Sequence, residues 1–138
     1  MRTLHFGLRV ADMDRSIAFY TAVGYEVVGA VPGSPIGQLT MLKLPDDEFV
    51  TIELVHEADR PVDSAGSTLS HFVIHVESID ATIAALSARG IEMEHSTSPD
   101  GSADFRTTWT VDPDGNRIEL VQWPAGHAVG MSVEDFVS

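Results

Sequence analysis

The sequence predicts an α+β fold built from two βαβββ modules in tandem, and three observations carry that prediction. Residues 5–26, HFGLRVADMDRSIAFYTAVGYE, recur 66 positions later as residues 71–92, HFVIHVESIDATIAALSARGIE, with 9 of 22 positions identical. Unrelated segments would match at roughly one or two. The same offset relates Ile52-Glu53-Leu54-Val55 to Ile118-Glu119-Leu120-Val121. Each copy also opens with strand-like alternation and passes into helical spacing that stops at a glycine, Gly24 or Gly90. With 138 residues and 43% hydrophobic composition, the chain can form one compact domain but not two independent ones, so the copies are halves of one fold. The first module covers 1–57, a connector 58–69, the second module 70–123 and a tail 124–138.

Thr3 to Val10 alternates as a half-buried strand, with Leu4, Phe6, Leu8 and Val10 on the core face and His5, Gly7 and Arg9 on the other. Asp12 or Asp14 can cap a helix on which Ile17, Tyr20 and Val23 recur at helical spacing. A short strand at Tyr25–Gly29 follows, then a loop through Pro32–Gly37, a strand over Gln38–Leu44 and a strand over Phe49–His56. The second module repeats the order. It has a strand over 70–77, a helix over about 79–89, a short strand near Ile91–Glu94, and strands Phe105–Val111 and Arg117–Trp123 joined by the turn Asp112-Pro113-Asp114-Gly115. In the tail, Ser132-Val133-Glu134-Asp135 has the spacing of a capping box for a last helical turn. The helices cover one side of each module, which leaves a cupped mixed sheet open on the other.

Composition removes several function classes. A net charge of −13 with eight basic residues offers no footprint for a nucleic-acid backbone or an anionic membrane. No apolar run approaches 18 residues and the N-terminus lacks a signal peptide's hydrophobic core, so the expected location is cytoplasmic. With no cysteine there is no disulfide, thiolate ligand or Cys nucleophile, and any metal must sit on His and carboxylate ligands.

Period-2 geometry places His5, Glu53, His71 and Glu119 on strand faces opposite the apolar residues that pack on the helices. Duplication explains why two strands look alike, but packing gives no reason for both copies to keep a His and a Glu on the non-core face. Two imidazoles and two carboxylates form a divalent-cation site, neutral overall when filled, with room for water or substrate at a six-coordinate ion. A strand His standing alone would more often be structural or solvated.

These residues match a known family. From residue 3 to about 123 the sequence resembles the vicinal oxygen chelate superfamily of glyoxalases, bleomycin-resistance proteins and extradiol dioxygenases, and most specifically the short bacterial glyoxalase I type. The resemblance rests on Leu4-His5 through Leu8-Arg9-Val10 to Arg15-Ser16-Ile17 and Phe19-Tyr20, on the strand at Glu53, on His71, and on the Asp-Pro-Asp-Gly turn before Ile118-Glu119-Leu120. It implies that His5, Glu53, His71 and Glu119 are metal ligands, for nickel, cobalt or zinc. It also implies a homodimer whose metal sites are shared between chains, with Glu119, or else Glu53, as the proton-abstracting base. Extradiol dioxygenases in the family use two His and one Glu for iron, and its epimerases typically have Gln where Glu53 stands.

The departures concern glutathione. Family members that use it carry an Asn a few residues after the first ligand Glu, where this chain reads Val55-His56-Glu57, and basic residues are missing from Gly66–Ser70 and Ser96–Ser98. Arg9 remains as a fork for a carboxylate. His75 and Trp109 are further candidates for contact with a small-molecule substrate, whereas His56, His95 and His127 are expected to be solvated. Phe49 and Trp123 are candidates to line an apolar pocket or to pack. The leading expectation is a metal-dependent lyase or isomerase acting through an enediolate and not specific for glutathione. The alternatives are a drug- or metabolite-binding protein of the bleomycin-resistance type and an iron-dependent dioxygenase.

Overall fold

A computed structural model describes residues 1–62 and 69–137. The element order is β1 (Phe6–Arg9), α1 (Met13–Val23), β2 (Glu26–Val31), β3 (Gln38–Lys43), β4 (Ile52–His56), β5 (His71–His75), α2 (Ile79–Ala88), β6 (Arg106–Val111) and β7 (Arg117–Gln122). A short 3-10 turn, Val133–Phe136, lies in the tail. The fold is the α+β arrangement of two modules that the repeat predicts. Hydrogen bonding runs in two sheets rather than one, with strand orders β1-β4-β3-β2 and β5-β7-β6. The predicted connector falls partly outside the described residues. Two compact units result, Met1–Thr68 with Asp112–Asn116, and Leu69–Val111 with Arg117–Ser138.

In the first unit β1 runs parallel to β4, and β3 pairs antiparallel with both β4 and β2. Helix α1 starts where the Asp12 carboxylate accepts from Arg15 N at 3.0 Å and stops at Gly24, whose φ of 131° only glycine adopts freely. Its buried residues are Met13, Ser16 and Tyr20, so of the predicted stripe only Tyr20 is in the core. The polar residues on this inward face are satisfied by the turn Asp112–Asn116. The Ser16 hydroxyl donates to Asp114 Oδ2 at 3.2 Å and the Tyr20 hydroxyl to Asp112 Oδ2 at 2.5 Å. Burial, and then the neighbouring Asp112 charge, raise the Tyr20 phenol far above its ordinary range, so it serves as a permanent donor. On β1, Leu8 and Val10 are buried as predicted, but Leu4 and Phe6 are 59% and 38% exposed. The strand is an edge strand whose ladder begins only at Phe6, so Leu4 precedes it and Phe6 stands at its first rung.

Asp112 is the hub of that turn. Besides Tyr20, it accepts from Asp114 N at 2.9 Å, Asn116 N at 2.8 Å and Asn116 Nδ2 at 2.9 Å. Because the site is buried, removing the carboxylate strands the phenol hydroxyl and the turn amides together. Asp112→Ala is expected to lower stability by about 3 kcal/mol and Tyr20→Phe by about 1 kcal/mol. Urea unfolding of both variants measures this, and an unchanged midpoint for Asp112→Ala would contradict it.

In the second unit β5 is parallel to β7 and β7 antiparallel to β6. Helix α2 is capped by Ser78 Oγ, which accepts from Ala81 N at 3.2 Å, and it buries Ile79 and Leu86. The strand predicted near Ile91–Glu94 does not form as a regular ladder. Its backbone gives one bond to β6, from Glu94 N to Trp109 O at 2.9 Å. The Glu94 and Glu92 carbonyls instead accept from the Thr108 and Thr110 hydroxyls at 2.7 and 2.8 Å, side-chain donors where a β-strand would use amides.

Candidate metal centre

In the first unit the parallel register sets Gly7 opposite Glu53. Alternation along β1 then puts His5, Gly7 and Arg9 on the open face beside Glu53, with Glu57 four residues beyond it. His5 Nε2 lies 3.5 Å from Glu53 Oε2, with the carboxylate 16% exposed and the imidazole 40%. Farther along the same face, Arg9 Nη1 donates to Glu57 Oε2 at 2.6 Å, and Arg60 Nη1 is 3.6 Å from that oxygen. The two pairs are about 13 Å apart at the rise of an extended strand.

The second unit repeats the first pair. His71 Nε2 lies 3.7 Å from Glu119 Oε2. His71 Nδ1 is 3.0 Å from Ser70 Oγ, so the hydroxyl can hold the ring with Nε2 directed at Glu119. Trp109, the cross-strand neighbour of Glu119, packs edge-on against His71 with ring centroids 5.1 Å apart. The Arg117 guanidinium covers the Trp109 ring at 4.2 Å and reaches Glu94 Oε1 at 3.4 Å. His75, the other predicted contact, is exposed at the end of β5 opposite Val121.

The donor chemistry of each pair fits a divalent cation. Imidazole nitrogens and carboxylate oxygens bind such ions at about 2.1 Å, which sets adjacent donors about 3 Å apart, close to the separations here. Each module supplies two donors. Among the described residues no group of three or more His, Asp or Glu side chains is arranged to hold a metal.

Two residues beside these pairs escaped the sequence reading. Arg117 is recoverable from it, because period 2 places it on the face of Glu119. Glu57 as the partner of Arg9 is not, because residues 48 positions apart meet only through the β1–β4 register. Two expectations are corrected. His56 is half-buried and its Nδ1 sits 3.0 Å from the Val10 carbonyl, a bond from strand end to strand end. His127 is held on both sides, Nδ1 at 2.6 Å from Ala128 O and Nε2 at 2.6 Å from Asp135 Oδ1. Both partners only accept, so both bonds favour the doubly protonated ring, and the Ala128 carbonyl first and Asp135 second raise its pKa. This ring stacks on Trp123 at 4.5 Å, Trp123 stacks on Phe105 at 5.2 Å, and Trp123 Nε1 donates to Val129 O. Trp123 therefore packs the tail against its own unit. Phe49 is 52% exposed and His95 is exposed.

Residues 2–120 match the family model described as Glyoxalase/Bleomycin resistance protein/Dioxygenase superfamily. The chain belongs to this superfamily. It is 32% identical over 124 residues to a protein of Vibrio parahaemolyticus serotype O3:K6 described as a probable lactoylglutathione lyase, covering 88% of this chain and 90% of that protein. Its fold is similar to that of a glyoxalase I variant from Zea mays, with a TM-score of 0.73 and 23% identity over 89% of this chain and 45% of the other. It is also similar to a bleomycin-binding protein complexed with bleomycin, with a TM-score of 0.65 and 18% identity over 89% of this chain and 99% of the other. At these identities the two structures speak for the superfamily fold alone.

Proposed function

We propose that this superfamily member is a divalent-metal-dependent lyase or isomerase of the glyoxalase I type, acting on an α-hydroxycarbonyl or thiohemiacetal. The observation that carries the reading is the repeated His–Glu pair, one in each module, with donor atoms 3.5 and 3.7 Å apart. His5, Glu53, His71 and Glu119 would together hold nickel, cobalt or zinc. Two donors per module are too few for a tight site, so the four are expected to be completed in a cytoplasmic homodimer, the first-module pair of one subunit with the second-module pair of its partner. A divalent cation at that point supplies positive charge to offset the charge that develops on two cis substrate oxygens.

The chain's own residues supply the rest. Glu119, half-buried and fixed on β7, accepts the carbon-bound proton, and Glu53 has the same chemistry available from β4. Trp109 backs His71 and walls the site, while Arg9 and His75 stand farther along their strands where the rest of a substrate would extend. The rival reading, a protein that binds a drug or metabolite without converting it, is favoured by the Arg9–Glu57 pair, because a carboxylate already stands on the guanidinium that would grip that of a thiol cofactor. An iron dioxygenase is disfavoured because it needs only three of the four donors. Elemental analysis of purified protein, with an assay on methylglyoxal hemithioacetals, tests the proposal. About one nickel, cobalt or zinc per subunit with turnover supports it. Iron would support the dioxygenase, and no metal with no turnover the binding protein.

A further inference from the structure

We propose that Glu57 sets the substrate specificity of this site by occupying Arg9, so that the end of the open face beside β4 rejects a carboxylate and accepts an uncharged amide or hydroxyl group. The inference rests on the reading above only in placing the reacting end of the substrate at His5 and Glu53. Three observations on the first unit carry it. Arg9 shares its strand face with His5, four residues and so about 13 Å away, and Glu57, just past the end of β4, is bonded to it. A substrate of thiol-conjugate length that reacts at the His–Glu pair reaches them. Second, the guanidinium is already committed. Arg9 Nη1 donates to Glu57 Oε2 at 2.6 Å and Arg60 Nη1 lies 3.6 Å from the same oxygen, so an anion approaching Arg9 meets the Glu57 carboxylate already bonded to it. Third, Glu57 and Arg60 border an open cleft of about 760 Å³ whose other wall is the loop from Pro32 to Gly37.

That wall is built close to β4. Gly37 has a φ of 111°, and a Cβ there would stand 2.5 Å from the His56 carbonyl oxygen, so only glycine lets the loop approach. Among the described residues, the cleft's ionisable side chains are Glu57, Asp59, Arg60 and His56. His56 Nδ1 is engaged with the Val10 carbonyl. With Arg9 added, the described residues set two guanidiniums against two carboxylates, and so offer no surplus positive charge to an anionic group. An ion pair of this kind still presents unused N–H donors beside a carboxylate oxygen, and a neutral group that both donates and accepts matches it. A carboxylate reaching those donors would lie beside the Glu57 carboxylate, like charge against like charge.

The experiment uses the metal-loaded full-length protein and two inert probes, S-hexylglutathione, which carries carboxylates, and S-hexyl-N-acetylcysteamine, which carries only an amide. Calorimetry gives their affinities for the wild type, Glu57→Gln, and Glu57→Gln combined with Arg9→Ala. Glu57→Gln is expected to tighten S-hexylglutathione by about tenfold, the worth of one freed charge-assisted hydrogen bond, and to change the neutral probe by less than about twofold. Adding Arg9→Ala should erase the gain. Thermal melts confirm that each variant is folded. Equal effects on both probes, no tightening, or no binding of either probe would overturn the assignment. Turnover of the two corresponding methylglyoxal hemithioacetals separates it from the lyase reading. If neither is converted while the affinity pattern holds, the lyase reading fails and Glu57 keeps its role. If both are converted with a ratio that Glu57→Gln leaves unchanged, the specificity assignment fails alone.

Discussion

Glu119→Gln is expected to reduce kcat about 10²- to 10⁴-fold while the protein keeps measurable metal and substrate affinity. The amide oxygen of Gln can still coordinate a cation, and the substitution leaves β7 and its register with Trp109 in place. What the amide lacks is basicity at the carboxylate position, so the loss should appear in kcat more than in KM. The corresponding Glu53→Gln change discriminates between the two candidate bases. If Glu119 is the base, Glu53→Gln weakens metal binding and retains more turnover than Glu119→Gln. Near-normal turnover by a metal-replete Glu119→Gln protein would remove Glu119 from the role and leave Glu53, or else His75, to take the proton.

Mixing two inactive proteins should restore activity if the sites are shared between chains. In a heterodimer of a His5→Ala chain with a Glu119→Ala chain, one site combines both lesions. The other joins the intact first-module pair of the Glu119→Ala chain to the intact second-module pair of the His5→Ala chain. One active site per heterodimer is expected, about half the activity of the same amount of wild-type dimer, against almost none for either homodimer. Differently tagged chains purified through both tags provide the heterodimer, and metal content and turnover are read on the same sample. Verified heterodimers with neither metal nor activity would show that each chain must build its site from its own four residues.

Much of this was legible because repetition converts weak local patterns into a strong one. A single strand His facing away from the core predicts little. Two of them 66 residues apart, each matched by a Glu at the same internal offset, place His5 with Glu53 and His71 with Glu119 before any coordinates exist, and the structure brings each pair within 4 Å. Helix α1 starts at Asp12, one of the two caps its sequence offers, and ends at Gly24, because caps are set by side chains next to the backbone groups they satisfy. Helical spacing misjudged the buried face. Ser16 goes inward in preference to Ile17 because a buried hydroxyl is tolerable once it has an acceptor, and that acceptor, Asp114, is 98 residues away.

The amino-acid sequence alone determined the duplicated α+β fold, the places where helices begin and end, and which side chains share a strand face, since alternation, helical period and capping are local properties of the chain. Register and packing decided the rest. The partner of Arg9, the anchoring of Tyr20 and Ser16 on the turn at Asp112, and the failure of 91–94 to form a ladder strand all depend on separate segments meeting. A side chain's polar partner is chosen by which strands lie adjacent and how they are aligned, and shifting one strand by a single residue would turn Arg9 to the opposite face and break its bond to Glu57.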